Sequence, residues 1–107
     1  MKLKNKKRGG ANPRRKGAQF ERQVKKYLLK KGIFAVRQPR SAFPDIFAGT
    51  NGNIMFIECK MNKYITKQER TDLQNLALLY GGNAFIAYKE QREMKFCDVY
   101  YIPITTI

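Results

Sequence analysis

The chain has 107 residues, a formal net charge of +14 at pH 7 and 43% hydrophobic residues. This length fits one domain with one hydrophobic core and excludes two. Apolar runs all fall well short of the roughly 18 residues of a membrane-spanning helix. The amino terminus also lacks the apolar stretch of a signal peptide, so we expect a cytoplasmic protein with no membrane partner.

The isolated cysteines and the lack of histidine in the sequence exclude a zinc site. Cys59 and Cys97 are isolated from each other, and the sequence contains no histidine. Zinc sites in proteins need clustered Cys and His ligands, which this chain does not offer. We interpret the two thiols as small buried hydrophobic groups in a reducing compartment, without a disulfide.

The positive charge is concentrated in the first part of the chain. Residues 1–40 contain fifteen Lys or Arg and a single acidic residue, whereas residues 41–107 contain seven of each sign. A one-sided positive field binds polyanions by releasing their counterions. This distribution predicts nucleic acid as the partner.

The predicted elements begin with a flexible basic arm over residues 1–15, which has too little apolar content to fold by itself. The arm would order on binding a phosphate backbone, or it is simply a solubilising tail. The remaining residues, 16–107, form the single predicted domain. Its first helix runs from Lys16 to Lys31, because apolar residues recur there with helical spacing, and Gly32 ends it. The stripe consists of Phe20, Val24, Tyr27 and Leu28.

Three strands, a second helix and two more strands follow. Residues 54–57 are apolar at four consecutive positions, which predicts a central strand covered on both faces. Thr66 begins a capping box for the second helix, and Gly81 stops that helix. The predicted strands are residues 33–36, 45–48, 54–57, 83–88 and 95–102, with a hairpin turn over 49–53, and the core stripe of the second helix is Leu73, Leu76, Ala77 and Tyr80.

The residues that carry chemistry gather around this hairpin. Asp45 opens one strand, and Glu58 and Lys60 share one face at the end of the next, because strand side chains repeat every two residues. Mg²⁺ prefers hard oxygen ligands, keeps several waters and takes one or two carboxylates from the protein. Asp45 and Glu58 therefore predict a Mg²⁺ site for phosphodiester cleavage, with Mn²⁺ as a possible substitute and no small-molecule cofactor. Lys60 would orient or deprotonate the attacking water, or hold charge on the phosphate.

Glu21, in the first helix, is the third candidate acid. We expect that helix to pack on the sheet and to bring Glu21 to the same pocket, through a metal-bound water or a second metal. Each acid also has a plain structural interpretation, such as a helix ion pair of Glu21 with Lys25 or a turn at Asp45. Like charges at close range are costly without a counter-ion, so a shared cation explains the cluster better than coincidence.

The pattern Glu21, Pro44-Asp45 and Glu58-Cys59-Lys60 resembles the PD-(D/E)xK nuclease superfamily. Further details resemble the archaeal-type Holliday junction resolvases: Arg15-Lys16-Gly17 before the helix, Phe20-Glu21-Arg22 inside it, Gly-Ile-Phe-Ala-Val-Arg at 32–37, and a second helix ending in Gly-Gly. The resemblance covers residues 15–88. It implies a restriction-endonuclease-like α/β fold, a central mixed sheet of about five strands flanked by helices.

The resemblance also implies a homodimer that nicks opposed strands of a four-way junction in DNA recombination and repair. The implied functional positions are Glu21, Ser41, Asp45, Glu58 and Lys60, with Ser41 near the scissile phosphate. One small domain cannot bridge two distant backbones of a junction, which independently favours a two-fold pair. Apolar residues at 99–104, with Phe85 and Phe96, would form the dimer interface or complete the core.

Basic and polar residues around this site are candidates for backbone contact. Gln68, at the start of the second helix, would reach a phosphate or the attacking water, or is simply solvated. The predicted DNA-binding residues are Arg14, Arg15, Lys16, Arg37, Arg40, Lys63 and Gln68. Two other functions stay open: a restriction-like or repair nuclease acting on duplex DNA, and a non-catalytic basic nucleic-acid-binding protein.

Overall fold

The computed structural model describes residues 13–39 and 42–107, in which two helices and six strands occur. The helices are α1, Pro13–Lys30, and α2, Lys67–Tyr80. The strands are β1 (Phe34–Arg37), β2 (Ile46–Thr50), β3 (Asn53–Cys59), β4 (Asn83–Glu90), β5 (Glu93–Cys97) and β6 (Pro103–Ile104). None of the helices in these described ranges is long and apolar enough to cross a membrane.

The strands form one sheet in the order β1-β2-β3-β4-β5-β6. Neighbouring strands are antiparallel except β3 and β4, which run parallel and are connected through α2. A parallel pair needs such a crossover, whereas antiparallel pairs need only short turns. The predicted α/β domain with a mixed sheet flanked by helices is confirmed, with one strand more than expected.

The first helix begins earlier than predicted. Proline is favoured at the first helical position, and Arg14 and Arg15 are good helix formers, so α1 starts at Pro13. Three residues that we assigned to the arm therefore belong to the helix, and residues 1–12 lie outside the described ranges. Gly32 ends α1 with a positive φ of 80°, and Ile33 N donates to Leu28 O at 2.9 Å.

The β2–β3 hairpin is closed by two residues, not by the five predicted for the turn. Thr50 pairs with Asn53, and the two residues between them have left-handed backbones, with φ of 48° at Asn51 and 83° at Gly52. Asn-Gly is the preferred pair for this turn because both residues tolerate positive φ. The tight turn sets the register of the whole hairpin.

Each helix covers one face of the sheet. Phe20, Val24 and Leu28 of α1 are buried, and they belong to one core cluster with residues of β1, β2 and β3. On the opposite face α2 packs mainly on β3 and β4, where Leu73 joins Phe56 in a second cluster. Residues 55–58 of β3 are buried, which confirms the predicted central strand.

The predicted core stripe of α2 is only partly right. Leu73 is fully buried, and Leu76 and Ala77 are half-buried, but Tyr80 is 61% exposed. Leu79, which is not part of the predicted stripe, is 73% exposed. The reason is the position of α2 over β3 and β4, which leaves the same face of β1 and β2 without a covering helix. An apolar surface therefore stays open beside the end of α2.

The last predicted strand, residues 95–102, is interrupted. β5 ends at Cys97, and the Asp98 carboxylate accepts hydrogen bonds from the N–H groups of Tyr100 and Ile102, at 2.8 and 2.9 Å. Such local side-chain bonds compete with the strand ladder. Phe96 and Val99 are buried in the core, so these two members of the proposed interface complete the core instead.

Candidate active site

The hairpin register brings Asp45 opposite Glu58. Ile46 pairs with Ile57, and the next step of the antiparallel ladder places Asp45 across from Glu58. Glu58 Oε1 accepts a hydrogen bond from Asp45 N at 3.2 Å, and Asp45 Oδ2 accepts one from Cys59 N at 2.9 Å. The two carboxyl groups are therefore held by reciprocal bonds across the hairpin. Asp45 follows the cis Phe43–Pro44 peptide.

Lys60 lies on the same side of the sheet as Glu58. Glu58 is two residues after Phe56, whose side chain packs beneath α2, so Glu58 faces α2 as well. Lys60 N donates to Ala87 O of β4 at 2.9 Å, which ties the end of β3 to its parallel neighbour. The Lys60 ammonium reaches α2, where Nζ lies 2.8 Å from Glu69 Oε2.

The acid pair is in a water-poor environment. Glu58 is only 7% exposed, and burial, together with the charge of Asp45, raises its pKa from 4.5 to about 8. Burial also raises the pKa of Asp45, although the hydrogen bond from Cys59 N opposes that shift. Two such carboxyls cannot both be charged at low cost without a cation, so the pair retains a proton near neutral pH. A divalent cation would replace that proton.

The electrostatics of Lys60 are set by the carboxylates around it. Burial alone would lower its pKa, but the hydrogen bond and charge of Glu69, with the charges of Glu58 and Asp45, raise the pKa above its ordinary value. For Glu69, burial is opposed by the Lys60 hydrogen bond, and the pKa is lowered. Lys60 is therefore an ammonium ion at neutral pH, which favours phosphate or water orientation over proton abstraction by this residue.

Glu21 is close to the pair but is bonded elsewhere. Its Oε1 accepts hydrogen bonds from Arg37 Nη2 and Nε at 3.1 and 3.3 Å, and the Glu21 side chain is 19% exposed. Burial and the charge of Asp45 raise the pKa of Glu21, while Arg37 opposes the shift. Glu21 lies on α1, which covers the face of the sheet opposite α2, and it still interacts electrostatically with Asp45. Its assignment to the metal site stays a prediction.

The donor set fits one hard cation. In residues 13–39 and 42–107, no three His, Cys, Asp or Glu side chains come together as a metal site. Mg²⁺, however, takes only one or two carboxylates and keeps waters in its remaining positions. The adjacent, partly desolvated carboxyls of Asp45 and Glu58 match that requirement, whereas a site made wholly of protein ligands would not form here.

The predicted DNA-binding residues that the structure describes lie on several different elements. Arg15 and Lys16 are exposed in the first turn of α1, and Arg37 is held by Glu21. Lys63 has a positive φ of 65°, and its ammonium lies 5.6 Å from the Tyr88 ring centroid. Gln68 is exposed and donates to Asp72 Oδ1 at 2.9 Å. The Arg14 side chain, Arg40 and Ser41 lie outside the described part of the chain.

The residue that sequence reasoning did not assign to the site is Glu69. The motif Thr66-Lys-Gln-Glu identified it as a capping-box residue, and both hydrogen bonds of the box are present. Its second oxygen bonds to Lys60, nine residues earlier in the chain. No sequence pattern signals this contact, because it depends on where α2 begins relative to the end of β3.

Comparison with known proteins gives consistent matches. A family model described as archaeal Holliday junction resolvase (hjc) matches residues 12–105. A crossover junction endodeoxyribonuclease Hjc from Methanocaldococcus jannaschii is 33% identical over 92 residues, covering 82% of this chain and 69% of that relative. Another, from Archaeoglobus fulgidus, is 34% identical over 87 residues, covering 73% of this chain and 64% of the relative.

The fold is also similar to a solved structure. The structure of Archaeoglobus fulgidus Hjc, a Holliday junction resolvase from an archaeal hyperthermophile, superposes with a TM-score of 0.69 at 34% sequence identity. The match covers 79% of this chain and 74% of that one. The likeness therefore extends over most of both chains.

Proposed function

Because this chain belongs to the archaeal Holliday junction resolvase family, we propose that it cuts four-way DNA junctions by paired, symmetrical nicks that depend on Mg²⁺. Family membership confirms the predicted family and the predicted class, a crossover junction endodeoxyribonuclease acting in DNA recombination and repair. The metal, the residue roles and the dimer are proposals. The observation that supports them most directly is the carboxyl pair of Asp45 and Glu58 beside the Lys60 ammonium.

Membership of this nuclease family implies a divalent metal, and we propose Mg²⁺, with Mn²⁺ as a possible substitute. Asp45 and Glu58 would hold the ion, which supplies an activated water and neutralises charge on the phosphate. The raised pKa of Glu58 agrees with this role, because a cation relieves the repulsion and desolvation that raise it. Glu21 would complete the site through a water, consistent with the effect of Asp45 on its pKa.

The protein's own groups would orient the substrate. Lys60, as an ammonium ion, would bind a non-bridging oxygen of the scissile phosphate or the attacking water. The ammonium group has three N–H donors, and the bond to Glu69 uses one of them, so two remain for the substrate or the water. Burial of Glu58 lowers the local dielectric around its carboxyl group and strengthens each electrostatic contact there. We propose that Ser41 contacts the scissile phosphate, because the resemblance to the resolvase family implies that role.

The phosphate backbone would be held by the basic amino-terminal part. Arg15 and Lys16 are exposed at the start of α1, and five further Lys or Arg lie in residues 1–12. Arg37, Lys63 and Gln68 are proposed as further backbone contacts, and the resemblance and the positive charge of the sequence add Arg14 and Arg40. Contacts of this kind position a duplex without reading its sequence. The proposed selectivity is therefore for junction shape.

We propose a homodimer formed through the open apolar face, defined as Phe34, Val36, Phe47, Ile54 and Tyr80. Phe34 is 69% exposed and Tyr80 is 61% exposed, although both are large apolar side chains. Phe56 connects the sheet residues of this face to Tyr80 of α2. Its ring centroid lies 5.6 Å from that of Phe47 and 6.0 Å from that of Tyr80.

The chemistry of the open face favours a second copy of the chain over DNA. The groove over β1, β2 and β3 is lined by apolar and small polar residues, with no charged side chain among its described lining. The protein has a formal net charge of +14, so a surface without positive charge is not where we expect it to bind the phosphates of DNA. Contiguous exposed apolar surface is typical of protein interfaces. A two-fold pair would present two active sites to one junction.

The test is incubation of the full chain with a labelled four-way junction and with a linear duplex of matching sequence, each with Mg²⁺, Mn²⁺ or EDTA. We expect paired nicks at symmetrical positions in the junction only, and no cleavage in EDTA. Equal cutting of the duplex would favour the restriction-like or repair nuclease. Binding of the junction without nicks under every metal condition would favour a non-catalytic binding protein.

A further inference from the structure

We propose that Glu69 is the positioning residue for Lys60, so that the amino terminus of α2 sets the location of the ammonium in the active site. This inference rests on the proposed nuclease function and adds a residue to its machinery. Glu69 itself does not touch the substrate. It acts through Lys60.

The geometry gives Glu69 two simultaneous bonds. Its Oε2 accepts from Lys60 Nζ at 2.8 Å, and its Oε1 accepts from Thr66 N at 2.8 Å. A third bond, from Glu69 N to Thr66 Oγ1 at 3.0 Å, closes the capping box. One carboxylate therefore links the first turn of α2 to the side chain that follows β3.

The contact is sheltered enough to restrict Lys60. The side chains of Lys60 and Glu69 are 29% and 23% exposed, whereas the surface pair of Lys95 and Glu93 is 41% and 73% exposed and is longer, at 3.6 Å. A lysine side chain has several rotatable bonds and loses much freedom when it is fixed. A short, partly buried, charge-assisted bond can offset that loss, but an exposed pair generally cannot.

A glutamine at this position separates the two tasks. A carboxylate has two acceptor oxygens, whereas an amide has one acceptor and one donor group. Glu69→Gln can therefore accept from Thr66 N or from Lys60 Nζ, but not from both through separate oxygens. Thr66→Ala makes the complementary change, because it removes the hydroxyl acceptor of the cap and leaves the Glu69 carboxylate in place.

The experiment compares four full-length proteins: wild type, Glu69→Gln, Thr66→Ala and Glu93→Gln. The last removes one negative charge from an exposed ion pair and serves as the matched charge control. For each, the single-turnover nicking rate with enzyme in excess, the junction Kd and the Tm are measured. Loss of a charge-assisted hydrogen bond predicts a rate about tenfold lower in Glu69→Gln, with Kd within about twofold of wild type.

The controls distinguish positioning from a general structural effect. Thr66→Ala should lower Tm at least as much as Glu69→Gln does, while its nicking rate stays within about threefold of wild type, as expected for loss of a cap alone. Glu93→Gln should match wild type in all three measurements. Equal rate losses in Thr66→Ala and Glu69→Gln, or an unchanged rate in Glu69→Gln, would overturn the proposal.

A second readout needs no nuclease activity. The order parameter of the Lys60 ammonium, measured by NMR on the DNA-free protein, should be high in wild type and Thr66→Ala and should fall in Glu69→Gln. Equal order in wild type and Glu69→Gln would contradict positioning by Glu69. A wild type that orders Lys60 but never nicks a junction would instead overturn the proposed function alone.

Discussion

Asp45 and Glu58 hold each other across the β2–β3 hairpin: the Asp45 N–H donates to the Glu58 carboxylate at 3.2 Å, and the Asp45 carboxylate accepts from the residue after Glu58 at 2.9 Å. The tight Asn51-Gly52 turn sets this register. A shift of one residue would send one of the two carboxylates to the other face of the sheet. The acid pair is thus a direct product of the hairpin.

We predict that Asp45→Asn or Glu58→Gln lowers the nicking rate at least about 100-fold, because metal assistance supplies several kcal/mol of transition-state stabilisation. Junction binding should be retained or become tighter, since a negative charge near phosphate is removed. Rates and Kd are measured on one labelled junction. Glu90→Gln, an exposed acid at the β4–β5 turn, is the matched control and should cut normally. Parallel loss of binding and cutting would count against a metal role.

Stability without metal should fall as the pH rises. The pKa of Glu58 is raised in the folded protein from 4.5 to about 8 by burial and by Asp45. Over this interval the folded state binds more protons than the unfolded state. The associated stability is therefore complete below about pH 4.5 and is lost as pH rises toward 8. The slope should be at most about 1.4 kcal/mol per pH unit for this one group.

Denaturant unfolding in EDTA at pH 5, 6, 7 and 8 measures that slope, and Glu58→Gln should flatten it because glutamine does not titrate. In a second series, with Mg²⁺ in place of EDTA, the free energy of unfolding of wild type should increase most at pH 8, where protons compete least with the metal. A pH slope in Glu58→Gln equal to that of wild type would assign the titration to other groups.

Replacing residues 1–12 by a single Met should weaken junction binding and reduce its salt dependence. This segment carries five Lys or Arg. Each phosphate contact contributes about 0.9 to the slope of log K against log salt, so the magnitude of the slope should decrease by up to about 4.5. Binding isotherms at four salt concentrations measure this change, and Tm should stay nearly constant. An unchanged slope would exclude this segment as a phosphate contact.

A charge on the open apolar face should dissociate the dimer. Phe34→Glu places a carboxylate on the face at a position that is 69% exposed, so it should raise the dimer dissociation constant at least about tenfold with little effect on monomer folding. Sedimentation equilibrium measures the constant. Leu29→Glu, on α1 at 47% exposure, is the matched control and should remain dimeric. Dimers of unchanged stability in Phe34→Glu would place the interface elsewhere.

The sequence by itself determined the order of the two helices and the first five strands, and the adjacency of Asp45 and Glu58. Apolar periodicity, the capping box at Thr66 and the hairpin turn within residues 49–53 are local signals. It did not predict that β5 ends at Cys97, where the Asp98 carboxylate accepts N–H bonds from Tyr100 and Ile102. Nor did it predict the exposure of Tyr80, which depends on which strands α2 covers.

Only the tertiary structure decided the partners of the charged groups. Glu21 bonds to Arg37, although sequence spacing suggested an ion pair with Lys25. Lys60 bonds to Glu69, a contact that no sequence pattern indicated. These pairs join separate elements, and their geometry follows from how each helix packs on its face of the sheet. Side chains far apart in sequence meet through packing, which local patterns do not encode.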